Sequence, residues 1–191
     1  MAKLERKIAI VTGASSGIGQ ATAERLAVAG YKVYGTSRRG AQSGQRSFEM
    51  LPLDVTSDAS VEAAVTEVIR VEGHIDLLVN NAGFGVAPAG AEESSIDQAR
   101  SIFDTNFFGI VRMTRAVVPR ARPHGELSAA PEPAVEGDWG ALVRELRTGG
   151  IRVSVVEPAY TKTQFEANVL EPDAKRDEYR EVRTTLRKRL K

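Results

Sequence analysis

A chain of 191 residues, 42% hydrophobic and 27% charged, is long enough for one domain with its own core. Its 26 basic and 25 acidic residues leave a net charge of +1, which supplies no field to draw nucleic acid or an anionic membrane surface. No apolar run reaches the ~20 residues of a membrane helix, no cysteine offers a disulfide or a thiolate ligand, and His74 and His124 stand apart from each other. The expectation is one domain over residues 1–191, cytoplasmic, with no metal, no nucleic acid and no membrane as partner.

The first half alternates short β-branched runs with longer amphipathic stretches, the pattern of βαβ units that build a parallel sheet. KIAIVT (7–12) is the first predicted strand, followed by a glycine loop and a helix ending near Gly30. YKVYGTS (31–37) and FEMLPLD (48–54) are the second and third strands. Ser57 or Asp58 caps the next helix, in which Val61, Ala64, Val65, Val68 and Ile69 recur at helical spacing until Gly73. IDLLVNN (75–81) is a buried fourth strand, and a long helix runs from about Ser95 to Val118, where Pro119 stops it. Residues 119–133, with Pro123, Pro131, Pro133 and Gly125, are expected to form an irregular loop. A helix over Ala134–Thr148, a strand at 151–157 and a polar, helical tail over 171–191 that ends in RKRLK complete the chain.

TGASSGIG (12–19) lies directly after a strand and directly before a helix, the setting in which a glycine pattern reads as a dinucleotide loop. Gly13 permits the tight exit from the strand, Gly17 a close backbone approach to a pyrophosphate, and Gly19 close packing of helix on sheet. Ser15 and Ser16 add hydroxyls, and the amide of Ile18 lies in the first helical turn. After the second strand stand Ser37, Arg38 and Arg39, where an NAD site places an acid for the ribose. Guanidinium groups suit a 2′-phosphate instead, which favours NADP(H). Asp54 and Val55 end the third strand, and Asp54 reads either as an adenine contact or as a helix cap.

TGASSGIG, the DVT at 54–56, the NNAG at 80–83, Asn106 in DTNFFG and VVEPAYTKT at 155–163 resemble, in that order, the short-chain dehydrogenase/reductase family. The resemblance covers about residues 5–118 and 134–170. It implies an α/β fold, a Rossmann-like three-layer doubly wound parallel sheet, and NADP-dependent interconversion of an alcohol and a carbonyl. It implies that Asn81, Ala82 and Gly83 line the cofactor, that Pro158, Thr161 and Thr163 run past the nicotinamide, and that 159–191 forms a lid and a C-terminal helix. Asn106 matches the asparagine of the family's catalytic group. A small alcohol or ketone of hydrophobic type, resembling steroid or retinoid substrates, and self-association through the helix at 95–118 are further implications.

The family's tyrosine passes a proton to the carbonyl oxygen, a lysine four residues later lowers that phenol's pKa from near ~10, and a serine positions the oxygen. AVEG at 134–137 resembles the segment that follows this motif, which puts Ser128 at the tyrosine place and Glu132 at the lysine place. Serine is too weak an acid, and Glu132 brings the wrong charge. No tyrosine lies between Phe108 and Tyr160 and no lysine between Arg112 and Lys162. Tyr160 and Lys162 lie two apart on a loop, without the helical spacing that sets both on one face. Ser128 reads as an exposed loop residue and Ser154 as a small strand residue. Nothing in RARPHGELSAAPEP has the apolar run of a buried parallel strand. The sheet is therefore expected to be truncated, lacking the family's fifth and last strands, with strand 151–157 moved beside strand 75–81. Three readings remain: an NADP-dependent oxidoreductase using an unidentified acid, a non-catalytic NADP-binding protein, and an inactive shortened form of such an enzyme.

Overall fold

The computed structural model describes residues 6–40, 46–86, 91–129, 151–156 and 169–189. Strand β1 (Ile8–Val11) has all four side chains buried, so it occupies the middle of the sheet with helices on both faces. Ile8 and Ile10 feed one core, with Tyr34, Val65, Leu78 and Met113, while Ala9 and Val11 feed the other, with Ala23, Val33 and Phe48. The period-2 alternation of a strand thus produces the three-layer arrangement.

Helix α1 (Gly17–Val28) covers one face. On the other face lies α2 (Asp58–Glu72), whose Ser57 hydroxyl accepts from the Ser60 N–H at 3.3 Å and whose Gly73 closes it at φ 79°. Beside it runs one long helix in two α-helical parts, α3 (Ile96–Phe103) and α4 (Gly109–Val117), joined by a π-helical turn over Asp104–Phe108. Ser95 caps α3 by accepting from the Gln98 N–H at 3.1 Å. Where α4 passes the end of β3 (Glu49–Pro52), a Cβ on Gly109 would lie 2.8 Å from Val55 Cγ2, so only glycine allows this approach.

With β2 (Lys32–Ser37) and β4 (Ile75–Asn80), the parallel sheet has six strands in the order β3-β2-β1-β4-β5-β6. This corrects the expected gap. Strand β5 (Ala121–Ala129) is formed from the segment read as an irregular loop, and β6 (Arg152–Val155) pairs with β5 rather than with β4. The register explains the misreading: Ile75 pairs with Ala121 but Leu77 pairs with Glu126, so the extra residues that include Pro123 and Gly125 are taken up in an irregularity. Regular pairing is confined to Glu126–Ala129, which bonds to Leu77–Asn80 on one side and Arg152–Val155 on the other. Ser128, expected on an exposed loop, lies in this strand opposite Val79 and Ser154.

The helix expected over 134–148 lies outside the described residues. The tail is less helical than expected: a 3-10 turn at Asp177–Tyr179 leads into α5 (Arg180–Arg189), and residues 169–176 precede it without a helix. Among the described residues, no strand follows β6 and no helix is long and apolar enough to cross a membrane.

Leu127 is 3% exposed and belongs to the larger core. Leu127→Ala is expected to cost about 2–4 kcal/mol in urea unfolding. A loop leucine would change stability by less than about 0.5 kcal/mol.

Candidate functional site

The strand order reverses between β1 and β4, and the chain leaves their C-terminal ends toward opposite faces, which opens a crevice there. Thr12, 1% exposed, holds the floor of that crevice. Its Oγ1 accepts from the backbone N–H of Asn81 at 2.9 Å and of Ala82 at 3.0 Å, and donates to Val79 O at 3.4 Å. In return Asn81 Nδ2 donates to Thr12 O at 2.9 Å and Gly13 O at 3.3 Å. The NNAG turn and the glycine loop are thereby tied into one unit. The Asn81 side chain is turned to the loop itself, which it shapes. Thr12 opens the TGASSGIG pattern, but its part in joining the two turns is not marked by the sequence, which offers only a β-forming residue at a strand end.

Gly13 at φ 67° and Gly17 at φ 59° adopt left-handed conformations that side chains disfavour. A Cβ on Gly13 would lie 2.9 Å from Ala82 Cα, and one on Gly19 would collide with the Asn81 amide and the Gly13 carbonyl. Ser15, Ser16 and Gly17 are half-buried and Ile18 is exposed. Ser57 and Ser95 turn their hydroxyls onto their own helices, whereas Ser16, the N-cap of α1, makes no side-chain cap bond. The first amides of α1 thus remain open to an anion, with the positive end of the helix dipole behind them.

At the C-terminal end of β2, the Ser37 hydroxyl donates to Gly40 O at 3.2 Å, closing a turn that leaves Arg38 and Arg39 exposed. Asp54 Oδ1 accepts from Thr56 N at 2.9 Å and Thr56 Oγ1 at 2.8 Å. The Thr56 backbone N–H is the main cause that holds the Asp54 carboxyl below its ordinary value, against partial burial and with help from the Thr56 hydroxyl and, more weakly, Arg38 and Arg112. Asp54 therefore closes its own turn, and Ser57 does the helix capping. The Val55 side chain is buried against α4, and its carbonyl accepts from Arg112 Nη1 at 3.3 Å.

Asn106, 7% exposed, lies in the π-helical turn. Its Oδ1 accepts from Phe84 N at 3.1 Å and its Nδ2 donates to Phe84 O at 2.9 Å, and a Cβ on Gly83 would come within 3.1 Å of Oδ1. The π turn supplies the extra residue that aims this amide at the exit of β4. Of the tyrosines, Tyr34 lies buried in the core and donates to Glu72 Oε1 at 2.5 Å. Burial first, and then Glu72, push its phenol up and away from the neutral range. It is not available as an acid at the crevice.

A family model for short chain dehydrogenases matches residues 7–127. The chain belongs to that family. It is 36% identical over 185 residues to a 3-ketodihydrosphingosine reductase of Bacteroides thetaiotaomicron, covering 86% of this chain and 68% of that protein. In three dimensions it is similar to a 3-ketoacyl-(acyl-carrier-protein) reductase of Brucella melitensis complexed with NADH. That match has 28% identity and a TM-score of 0.76, over 90% of this chain and 88% of that one. It is likewise similar to an actinorhodin polyketide ketoreductase with NADPH, at 27% identity and a TM-score of 0.76, over 95% of this chain and 78% of that one. The short-chain dehydrogenases are oxidoreductases that use NAD(H) or NADP(H), and the crevice at β1 and β4 is where this chain's glycine loop lies.

Pro158, Thr161 and Thr163, with Tyr160, Lys162 and Glu132, lie outside the described residues. What is described beyond them is a clasp. Leu170 pairs with Val86 and donates from its N–H to Gly85 O at 2.9 Å. Asp173 accepts from the Ser95 N–H at 2.7 Å and from the Ser95 hydroxyl, while Gln98 Nε2 donates to Glu171 O at 2.8 Å. The buried Glu93 accepts from Arg176 N at 2.5 Å, and Tyr179 donates to Glu92 at 2.5 Å. The tail is thus fastened across the segment between β4 and α3.

Thr12→Val keeps the shape but orphans two N–H groups, and is expected to cost about 2–4 kcal/mol in thermal or urea unfolding, with Thr12→Ser recovering most of it. The Asp173 carboxyl is held below its ordinary value chiefly by the Ser95 hydroxyl, so its bonds to Ser95 persist at neutral pH and weaken as pH falls through that lowered pKa. Asp173→Ala is expected to speed proteolytic cleavage within 169–179 several-fold at neutral pH, with wild-type cleavage equal at pH 7 and pH 5 once protease activity is normalised.

Proposed function

We propose that this chain binds NADP(H) across the β1/β4 crevice and belongs with the NADP-dependent oxidoreductases of its family that interconvert an alcohol and a carbonyl. The observation that carries the reading is the unit formed by Thr12, Asn81 and the left-handed Gly13 and Gly17, beside a helix whose first amides have no side-chain cap. Ser15, Ser16, Gly17, Ile18 and Gly19 would hold the pyrophosphate, Ser37, Arg38 and Arg39 the 2′-phosphate, and Asp54 and Val55 the adenine. Ala82 and Gly83 would pass beneath the rest of the cofactor, with Pro158, Thr161 and Thr163 on its nicotinamide side. The bound nucleotide would supply a hydride to a carbonyl carbon or take one from an alcohol. A proton must then reach or leave the oxygen, and this chain's residues have to manage it.

A second reading rests on one sequence fact: no tyrosine lies between Tyr34 and Tyr160. Without a phenol and its lysine the protein would bind the cofactor and not turn it over. Under the first reading the substrate is a small hydrophobic ketone or alcohol, a proposal supported by likeness to a relative named a 3-ketodihydrosphingosine reductase. Asn106, turned onto Phe84, supports the site as a positioning residue.

Titration with NADPH and NADH, followed by cofactor fluorescence, tests the proposal without knowledge of the substrate. Saturable binding with NADPH preferred at least ~10-fold, and that preference lost in Arg38→Asp, is the expected outcome. A folded protein that binds neither nucleotide would end both readings. If binding holds, oxidation of NADPH by a panel of apolar ketones separates enzyme from binding protein.

A further inference from the structure

Arg46 stands 31 residues from Ser15 in sequence, after a stretch with no dinucleotide signature, yet its guanidinium reaches the glycine loop. Nη2 donates to Ser15 O at 3.2 Å and Nη1 to Ala14 O at 3.4 Å. The guanidinium also lies 5.5 Å from the centroid of the Phe48 ring. Phe48 is itself fixed: it is 8% exposed, and it fits only because Gly35 of β2 has no Cβ, which would come within 2.5 Å of the ring. The backbone of β2, the start of β3 and the glycine loop thus hold one arginine among them.

We propose that Arg46 is a specificity-determining residue of the nucleotide site, presenting its remaining N–H groups to the 2′-phosphate of NADP(H) together with Arg38. The inference rests on the NADP reading of the site and extends it to a residue outside the loops that the motif marks. Three observations carry it. First, place: Arg38 follows the end of β2 and Arg46 is bonded to the first turn of the glycine loop, the two edges between which the adenosine ribose of a nucleotide in the crevice would lie. Second, supply: a guanidinium has five N–H donors in a rigid fork, and the two carbonyl bonds use two of them. Third, charge: the Ala14 and Ser15 carbonyl oxygens would give this edge of the loop a negative face, and the guanidinium over them reverses its sign. Arg70, Arg100, Arg112, Arg120 and Arg180 each pair with a carboxylate, whereas no ion pair ties Arg38, Arg39 or Arg46 among the described residues.

The alternative is a structural staple that only fastens β3 to the loop. The two roles differ in what they do to the ratio of affinities. Calorimetric titration of the whole chain with NADP+ and NAD+, and with 2′,5′-ADP and 5′-AMP, compares ligands that differ in the 2′-phosphate. For Arg46→Ala, the NADP+/NAD+ and 2′,5′-ADP/5′-AMP affinity ratios are expected to fall at least ~10-fold, with NAD+ and 5′-AMP binding little changed. Arg46→Lys, which keeps the charge without the fork, is expected to recover part of the ratio. An equal loss for both members of each pair, or no change in the ratio, would overturn the proposal and leave the staple. Should Arg46→Ala fail to fold, Arg46→Gln, which still covers Phe48, carries the same comparison. A wild-type protein that binds 5′-AMP as tightly as 2′,5′-ADP would defeat the NADP reading itself, a result distinct from failure of Arg46 alone.

Discussion

The hydroxyl of Thr12 is the point on which the crevice depends. At a switch in strand order two parallel strands end side by side and their chains depart in opposite directions, so the backbone groups there have no next strand residue to pair with. One oxygen accepts from Asn81 and Ala82, and its proton goes to Val79 O, so the ends of β1 and β4 are joined where the ladder stops. Apolar residues line both faces of the strands up to this point, with Ala9 and Val11 on one side and Ile8 and Ile10 on the other. A polar group in that position is tolerated because its bonds are made inside the protein.

From this junction the rest of the site follows by contact. Because the Asn81 amide sits against the Gly13 carbonyl, α1 can begin only if residue 19 has no side chain, and the helix N-terminus is drawn up to the sheet edge. Because Gly83 leaves room for Asn106, the π turn of the long helix reaches the Phe84 backbone and fixes the course of the chain after β4. The tail is then fastened to the segment that follows, through Leu170 at Gly85 and Asp173 at Ser95. Each step uses a glycine or an amide to bring backbone close to backbone, which makes the arrangement intolerant of added carbon atoms at Gly13, Gly19 and Gly109.

What the sequence discloses and what it hides divide along a physical line. The glycine loop, the four strands from Ile8 to Asn80, the Ser57 cap and the Gly73 stop are local: a few adjacent residues determine each, and each was legible. Strand β5 is not local. Its regular part has one buried apolar residue known from its burial, Leu127, and it is a strand because β4 and β6 offer it ladders on both sides. Pro123 and Gly125 mark a break in register, which looks the same in the sequence as the absence of a strand. The junction role of Thr12, first residue of TGASSGIG, and the place of Arg46 are hidden for a related reason, since the first reads as a strand-end residue and the second comes to the loop beside Phe48, which packs on Gly35.

The same distinction bears on how Asn106 should be understood. In the family scheme it belongs to the catalytic group, yet here its amide makes a two-point bond to the Phe84 backbone, which the fold requires whether or not a reaction takes place. An asparagine so placed has a part in the architecture of the crevice. The glycine loop, the NNAG turn and the Asn106 contact lie between β1 and α4, where most of the core lies, and the tail adds bonds to Gly85, Glu93 and Ser95 from outside. A phenol, an ammonium and a hydroxyl acting on a carbonyl would have to come from other parts of the chain. Under the proposed function, nucleotide binding and turnover would rest on different segments.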